Sequence, residues 1–292
     1  MLIKLLINGI NCSKKRVDNM KDKDIIYIAG NVRSGSTLLE RIISSNNNIL
    51  GLGELSHLLK VDFKNTTCSC SEKLNKCPYW KNIIENIDIN ILDDKIKDIQ
   101  LKNESLFSFP KFLFDKDNEY KIYCKKIIDY IFDSIPNDID YIVDSSKSSV
   151  NCFFRPYLIN KYCKNEIKVI HLVRDGRGCM YSHLKRFENS NLQAIKASLK
   201  WLIANISANM FAINSNDSYI RIKYENLVKS PIDVLKKLSI FLDTDISESI
   251  NIIRTNNNIP FTHQFKANPM RNKSNLKINK EVGFKWKNNI DR

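Results

Sequence analysis

No stretch of this 292-residue chain approaches the ~18 to 20 consecutive apolar residues that a membrane-spanning helix needs. The N-terminal run from Met1 to Ile10 is too short, and too polar at Lys4 and Asn8, to anchor or target the chain. Cysteine is too sparse for a disulfide scaffold: there are eight, and Cys12, Cys124, Cys152, Cys163 and Cys179 stand singly. Internal repeats and paired C-x-x-C knuckles are both missing, which excludes a solenoid and the commonest zinc modules. These absences describe a soluble protein whose expected setting is a reducing cytoplasm. Acidic residues are also in deficit, 32 against 46 Lys+Arg, for a net charge of +14. Such an excess favours anionic partners. The lysines are spread among isoleucines and asparagines along the whole chain, however, so no specific nucleic-acid role is expected. With 43% apolar residues the chain can build a real core, and nothing in its composition points to disorder.

What is present begins with Ile25-Ile26-Tyr27-Ile28-Ala29, an apolar run of strand length. It meets the Gly/Ser-rich turn Gly30-Asn31-Val32-Arg33-Ser34-Gly35-Ser36-Thr37, and apolar residues then recur at helical spacing at Leu38, Leu39, Ile42 and Ile43. A strand, a glycine-bearing loop and a helix N-terminus together make an anion site, because free N–H groups and the helix dipole both face the loop. Gly30 and Gly35 have the spacing of a Walker A loop, G-x-x-x-x-G-K-[ST], but Ser36 stands where the lysine belongs and the cation is at Arg33. Without the lysine that reaches β- and γ-phosphates, the loop suits a 5′-phosphate better than a Mg-triphosphate.

At this point the chain resembles the sulfotransferases. Their 5′-phosphosulfate loop, a basic residue followed by Ser-Gly-(Ser/Thr)-Thr and an apolar residue, is matched by Arg33-Ser34-Gly35-Ser36-Thr37-Leu38. A second block follows the strand Ile167-Lys168-Val169-Ile170-His171-Leu172-Val173: Arg174 at the strand end and Ser182 eight residues on keep the family spacing for the 3′-phosphate of the adenosine. Eight residues is just over two helical turns, so both groups face one phosphate if a helix begins near Gly176. Tyr224-Glu225-Asn226-Leu227, at the end of the strand from Tyr219, resembles the block whose tyrosine lies against the adenine. In the tail, Arg271 and Trp286 look like the family's 3′-phosphate arginine and closing tryptophan.

The resemblance implies an α/β, P-loop-containing nucleotide hydrolase-like fold with a central parallel sheet flanked by helices. Residues 1–23 are read as an arm and 24–292 as a single sulfotransferase domain, with about 60–140 a variable helical insert on the substrate or covering side. It also implies a co-substrate, 3′-phosphoadenosine-5′-phosphosulfate (PAPS), whose sulfuryl group passes to a hydroxyl or amine acceptor, with no metal required. Arg33, the loop N–H groups and Lys147, after the strand Tyr141-Ile142-Val143-Asp144, are placed to stabilise charge on the leaving oxygen. Lys147 resembles the lysine of a Lys-Ser/Thr-Pro block, with Ser149 at the proline position. Glu54, in the turn Gly51-Leu52-Gly53-Glu54, is the expected base, its pKa raised by partial burial, with His57 in reserve. Two other classes remain open on the residues alone: a P-loop kinase, and a non-catalytic polyanion-binding module.

Cys68, Cys70 and Cys77 form C-x-C-x6-C ahead of Pro78-Tyr79-Trp80. Three cysteines this close invite a zinc reading with His57 as fourth ligand. A similar motif in bacterial-type sulfotransferases implies instead a structural insert. Finally, Leu192, Ile195, Leu199, Leu202, Ile203, Ile206 and Met210 recur at helical spacing and predict a long core helix.

Overall fold

The computed structural model describes residues 23–86, 94–114, 119–185, 190–266, 268–279, 284 and 286. Of the expected arm, residues 1–22 lie outside the described residues. Five strands form one parallel sheet in the order β2-β3-β1-β4-β5: β1 Asp24–Ala29, β2 Ile49–Gly53, β3 Tyr141–Asp144, β4 Ile167–Val173 and β5 Tyr219–Lys223. Parallel strands need both faces covered, and their alternating side chains divide the core in two. Ile25, Tyr27 and Ala29 of β1 join one apolar cluster, whereas Ile26 and Ile28 join the other.

The helices that matter for the site are α1 Ser36–Ile43, α2 Pro78–Asn86, α3 Asp94–Glu104, α4 Arg155–Tyr162, α5 Gly176–Leu184, α6 Asn191–Asn214 and α7 Tyr224–Lys229. Helix α5 begins at Gly176, where the Arg174–Ser182 spacing requires it. Tyr224 opens a short helix directly after β5.

Helix α6 corrects the expectation of an apolar core stripe. Leu192, Ile195, Leu199, Leu202 and Ile206 are 42–60% exposed. The buried face consists mainly of small or polar residues, Ala197, Ala204, Asn205, Ser207 and Ala208, with Phe211. These let the helix lie close to its neighbours: Ser207 Oγ donates to the Phe153 carbonyl at 2.7 Å, and Tyr157 Oη to that of Ser207 at 2.7 Å.

In the 94–139 region Tyr120, Tyr123, Ile127, Ile128, Ile131 and Phe132 are all buried in the first cluster. This segment buttresses the sheet from within the core. Arg155 of α4, fully buried, donates to Asp144 at the end of β3 (2.9 Å) and to Glu104 of α3, which also accepts from Tyr120 Oη at 2.6 Å. Asp144 in turn accepts from the Ser146 N–H at 2.9 Å and the Leu55 N–H at 3.2 Å. The loops after β2 and β3 are thereby fixed from below. Cys124 and Cys163, expected to stand singly, are joined in a disulfide.

Candidate active site

Every strand of the sheet delivers a candidate residue at or just past its C-terminal end, the edge where open α/β sheets bind ligands. Across the sheet these are Glu54 after β2, Lys147 after β3, Arg33 after β1, Arg174 after β4 and Tyr224 after β5. All five line one cavity of about 600 Å³, together with Gly35, Ser36, Thr37, Leu38 and Ser182.

The loop after β1 is shaped by backbone that most residues avoid. Gly35 has φ +99°, and a Cβ there would stand 2.4 Å from the Tyr224 ring, so only glycine fits. Arg33 (φ 73°) and Lys147 (φ 67°) are left-handed without being glycine. Non-glycine residues persist in that region when surrounding structure over-determines them, and such positions gather at functional sites. Ser36 and Thr37 open α1, so their N–H groups precede the first helical hydrogen bond and turn toward the loop. Ser34 is buried just behind, its hydroxyl without a partner among the described residues.

At the far end, the Arg174 guanidinium lies 4.5 Å from the centroid of the Tyr224 ring, and its Nη1 donates to the Arg33 carbonyl at 2.9 Å. Its Nε is buried and has no partner among the described residues. An unspent donor and a helical serine facing the cavity fit a phosphate at this end. The near end holds a different device. Lys147 Nζ pairs with Glu54 Oε1, and His57 Nε2 stands 3.4 Å from Glu54 Oε2.

Residues 25–248 match the sulfotransferase family model. The chain belongs to the sulfotransferase family. Among solved structures it is similar to the sulfotransferase domain from the curacin biosynthetic pathway (20% identity, 91% of this chain and 90% of that one, TM-score 0.54). It is also similar to the sulfotransferase domain of the Synechococcus PCC 7002 olefin synthase (17% identity, 94% and 91%, TM-score 0.51). Those neighbours share the P-loop-like α/β fold. No curated protein matches the sequence.

Within this sulfotransferase three expectations need revising. Burial does push the Glu54 carboxyl up, but the hydrogen bond from His57 and the Lys147 ammonium outweigh it and hold Glu54 below its usual 4.5. The raised pKa expected from burial alone is therefore wrong, because burial here comes with a counter-charge. Arg271 does not line the cavity. It sits at the β2 edge near Glu54 and Cys68, with its guanidinium donating to the carbonyls of Phe265, Gln264 (3.4 Å) and Thr67 (3.3 Å). That edge is opposite to Arg174. The three clustered cysteines meet His263, not His57, whose imidazole is beside Glu54. Trp286 packs on α5, with the Arg177 guanidinium 4.2 Å from its ring centroid.

The cavity also has walls that sequence reasoning passed over: Tyr181 and His183 of α5, Lys185 just past it, Lys200 of α6, and Asn268 with Met270 from the tail. Burial, then the charges of Lys200 and Arg33, lower the His183 pKa, which marks this wall as electropositive. The α5 residues flank Ser182 and were legible by position. Lys200 was not, since only packing brings α6 to the cavity.

Proposed function

We propose that this sulfotransferase uses PAPS as donor and transfers its sulfuryl group to a hydroxyl or amine, leaving adenosine 3′,5′-bisphosphate. The observation that carries the reading is the order of groups along the sheet edge. An arginine–serine pair suited to the 3′-phosphate, Arg174 with Ser182, stands at the β4 end; the phosphosulfate loop is central; a lysine–carboxylate pair stands at the β2–β3 end. The donor, when bound, supplies an activated sulfuryl group. The chain supplies the rest. Arg33 and the N–H groups of Ser36 and Thr37 hold the 5′ end and offset charge on the leaving oxygen, an electrostatic contribution that needs no proton. Glu54, kept ionised, accepts the acceptor's proton at its carboxylate. Lys147 positions that carboxylate and faces the same transfer region, while Tyr224 gives the nucleoside end an apolar wall. His57 touches Glu54 but does not line the cavity, which favours Glu54 as the base.

A cytoplasmic setting belongs to the same reading. The Cys124–Cys163 disulfide, of a kind uncommon in reducing compartments, weighs against it, and counting free thiols in protein isolated under native conditions decides. The deciding experiment for function is calorimetric titration with adenosine 3′,5′-bisphosphate in the presence of a chelator. Tight binding without Mg²⁺, together with transfer of labelled sulfate from PAPS to one acceptor among phenols, glycans, lipids and amines, is the expected result. Binding that requires ATP and Mg²⁺ would reassign the chain to phosphoryl transfer.

A further inference from the structure

The C-x-C-x6-C motif and its Cys-Pro-Tyr-Trp continuation take no part in the cavity, yet the fold draws them to one point. Cys68 and Cys77 are buried and Cys70 and His263 half-buried, and the ligand atoms of all four lie within 4.8 Å of one another. His263 Nδ1 is 3.2 Å from Cys77 Sγ and 3.9 Å from Cys68 Sγ. Zinc at about 2.3 Å from sulfur and 2.0 Å from nitrogen separates tetrahedral neighbours by ~3.5–3.8 Å, so a small contraction closes the site. We propose that Cys68, Cys70, Cys77 and His263 bind one structural zinc ion in a closed Cys3His site.

The surroundings are built for thiolates. Backbone N–H groups of Cys70, Glu72 and Trp80 donate to the sulfurs of Cys68, Cys70 and Cys77 respectively, one donor for each sulfur. Such outer donors orient ligands and stabilise their charge. Ser71, at φ 75°, closes a tight turn over the C-x-C segment: its N–H donates to the Cys68 carbonyl at 3.0 Å, and the Cys68 N–H to that of Glu72 at 2.8 Å. Three thiolates on a divalent ion leave one net negative charge, and the Arg271 guanidinium lies close enough to Cys68 to offset it. The rest of the motif holds the histidine: Trp80 Nε1 donates to the His263 carbonyl at 2.6 Å, and the Tyr79 ring lies 4.4 Å from the imidazole, centroid to centroid.

The ion would act as a rivet. His263 N–H donates to Gly51 O at 3.0 Å, and Glu54 N–H donates to Lys266 O at 3.0 Å, so residues 263–266 run alongside the segment that ends in the candidate base. Zinc would tie that segment to α2, independently of what the cavity binds.

The test uses the full chain purified in reductant without a metal-affinity tag or chelator. Elemental analysis should find about one zinc per chain, and exchange with Co²⁺ should give thiolate-to-cobalt charge transfer with the intense bands of a tetrahedral ion. Cys70→Ser, at the half-exposed position, should fold yet release zinc to a chromophoric chelator at least about tenfold more readily, and His263→Gln should do the same. Chelation should lower the Tm of the wild type and leave that of a Cys68→Ser/Cys77→Ser double variant unmoved. A reduced wild type that takes up neither Zn²⁺ nor Co²⁺, a cobalt spectrum without charge transfer, or a native Cys68–Cys77 disulfide with no metal would each overturn the site.

Discussion

Replacing Glu54 with Gln keeps the side chain's size and removes the charge between Lys147 and His57. The Lys147 side chain is 7% exposed and that of Glu54 17%, so the pair is mostly withdrawn from water while opening on the cavity. Losing one partner of a fully buried pair costs about 3–5 kcal/mol. Contact with cavity solvent and the remaining amide oxygen reduce that here to ~2 kcal/mol, or about 3–4 °C in Tm for a domain of this size. Loss of a general base costs a further 10²- to 10⁴-fold in turnover, roughly. The two effects separate in the double variant Glu54→Gln/Lys147→Met, which no longer strands an ammonium and should regain most of the Tm while turnover stays low. Thermal melts, calorimetry with adenosine 3′,5′-bisphosphate and sulfate-transfer rates measure all three quantities, and nucleotide affinity should stay within about threefold. In the wild type, Glu54 held below 4.5 keeps its basic form as pH falls through the usual glutamate range, so the acid limb of kcat/KM should lie below 4.5. If Glu54→Gln lowered Tm but turned over within about threefold of wild type, Glu54 would be only the counter-charge of Lys147. The base assignment would then pass to His57.

Arg174→Ala should weaken adenosine 3′,5′-bisphosphate by about 1.5–3 kcal/mol, and Ser182→Ala by less, with little effect on AMP; equal losses for both nucleotides would remove the 3′-phosphate assignment. Arg271→Ala should lower Tm but leave the ratio of those two affinities unchanged, because its guanidinium is spent on carbonyls at the other edge; a collapsed ratio restores it to the phosphate site. Arg155→Met leaves the buried Glu104 and Asp144 without their cation and should cost about 3–5 kcal/mol in denaturant titration, whereas a loss under ~1 kcal/mol would mean the network is not holding the β3 loop. Burial raises Glu40 from 4.5 to about 8, so its stabilising contribution is complete below pH 4.5 and is lost as pH rises through 8. Glu40→Gln should therefore flatten the decline in stability between pH 5 and 8.5 by a few kcal/mol, and parallel curves for the two proteins would refute that.

The parts of the site that were legible in the sequence are local. The loop from Gly30 to Leu38 declares itself through adjacent residues, and Arg174 with Ser182 through a fixed spacing on one strand and helix. Hydrophobic periodicity located α6 but pointed to the wrong face, since apart from Phe211 its buried residues are alanines, a serine and an asparagine that carry little apolar weight. Close backbone approach, not side-chain size, seats that helix. The pKa of Glu54 required knowing its counter-charge, which comes from a strand ninety-three residues away. His263 is likewise 186 residues from Cys77. Arg155 drew no notice because a lone arginine in a helical pattern reads as surface, yet its guanidinium is the buried link between α3 and β3.

Arg41, on the helix that follows the Gly30–Leu38 loop, is wholly buried and faces no carboxylate among the described residues. Its guanidinium donates to the carbonyls of Ile259, Pro260 (3.0 Å), Met270 (3.0 Å) and Lys273 (2.9 Å). A chain is made from its amino end, and domains begin to fold while synthesis continues. The strands can pair as they leave the ribosome, but the loop helix must wait with an unmatched cation for partners more than two hundred residues downstream. The seat of that helix is therefore complete only once residues 259–273 have been made. A chain halted before residue 259 would carry every strand and most of the cavity lining, yet lack the carbonyls that seat the helix behind the Gly30–Leu38 loop.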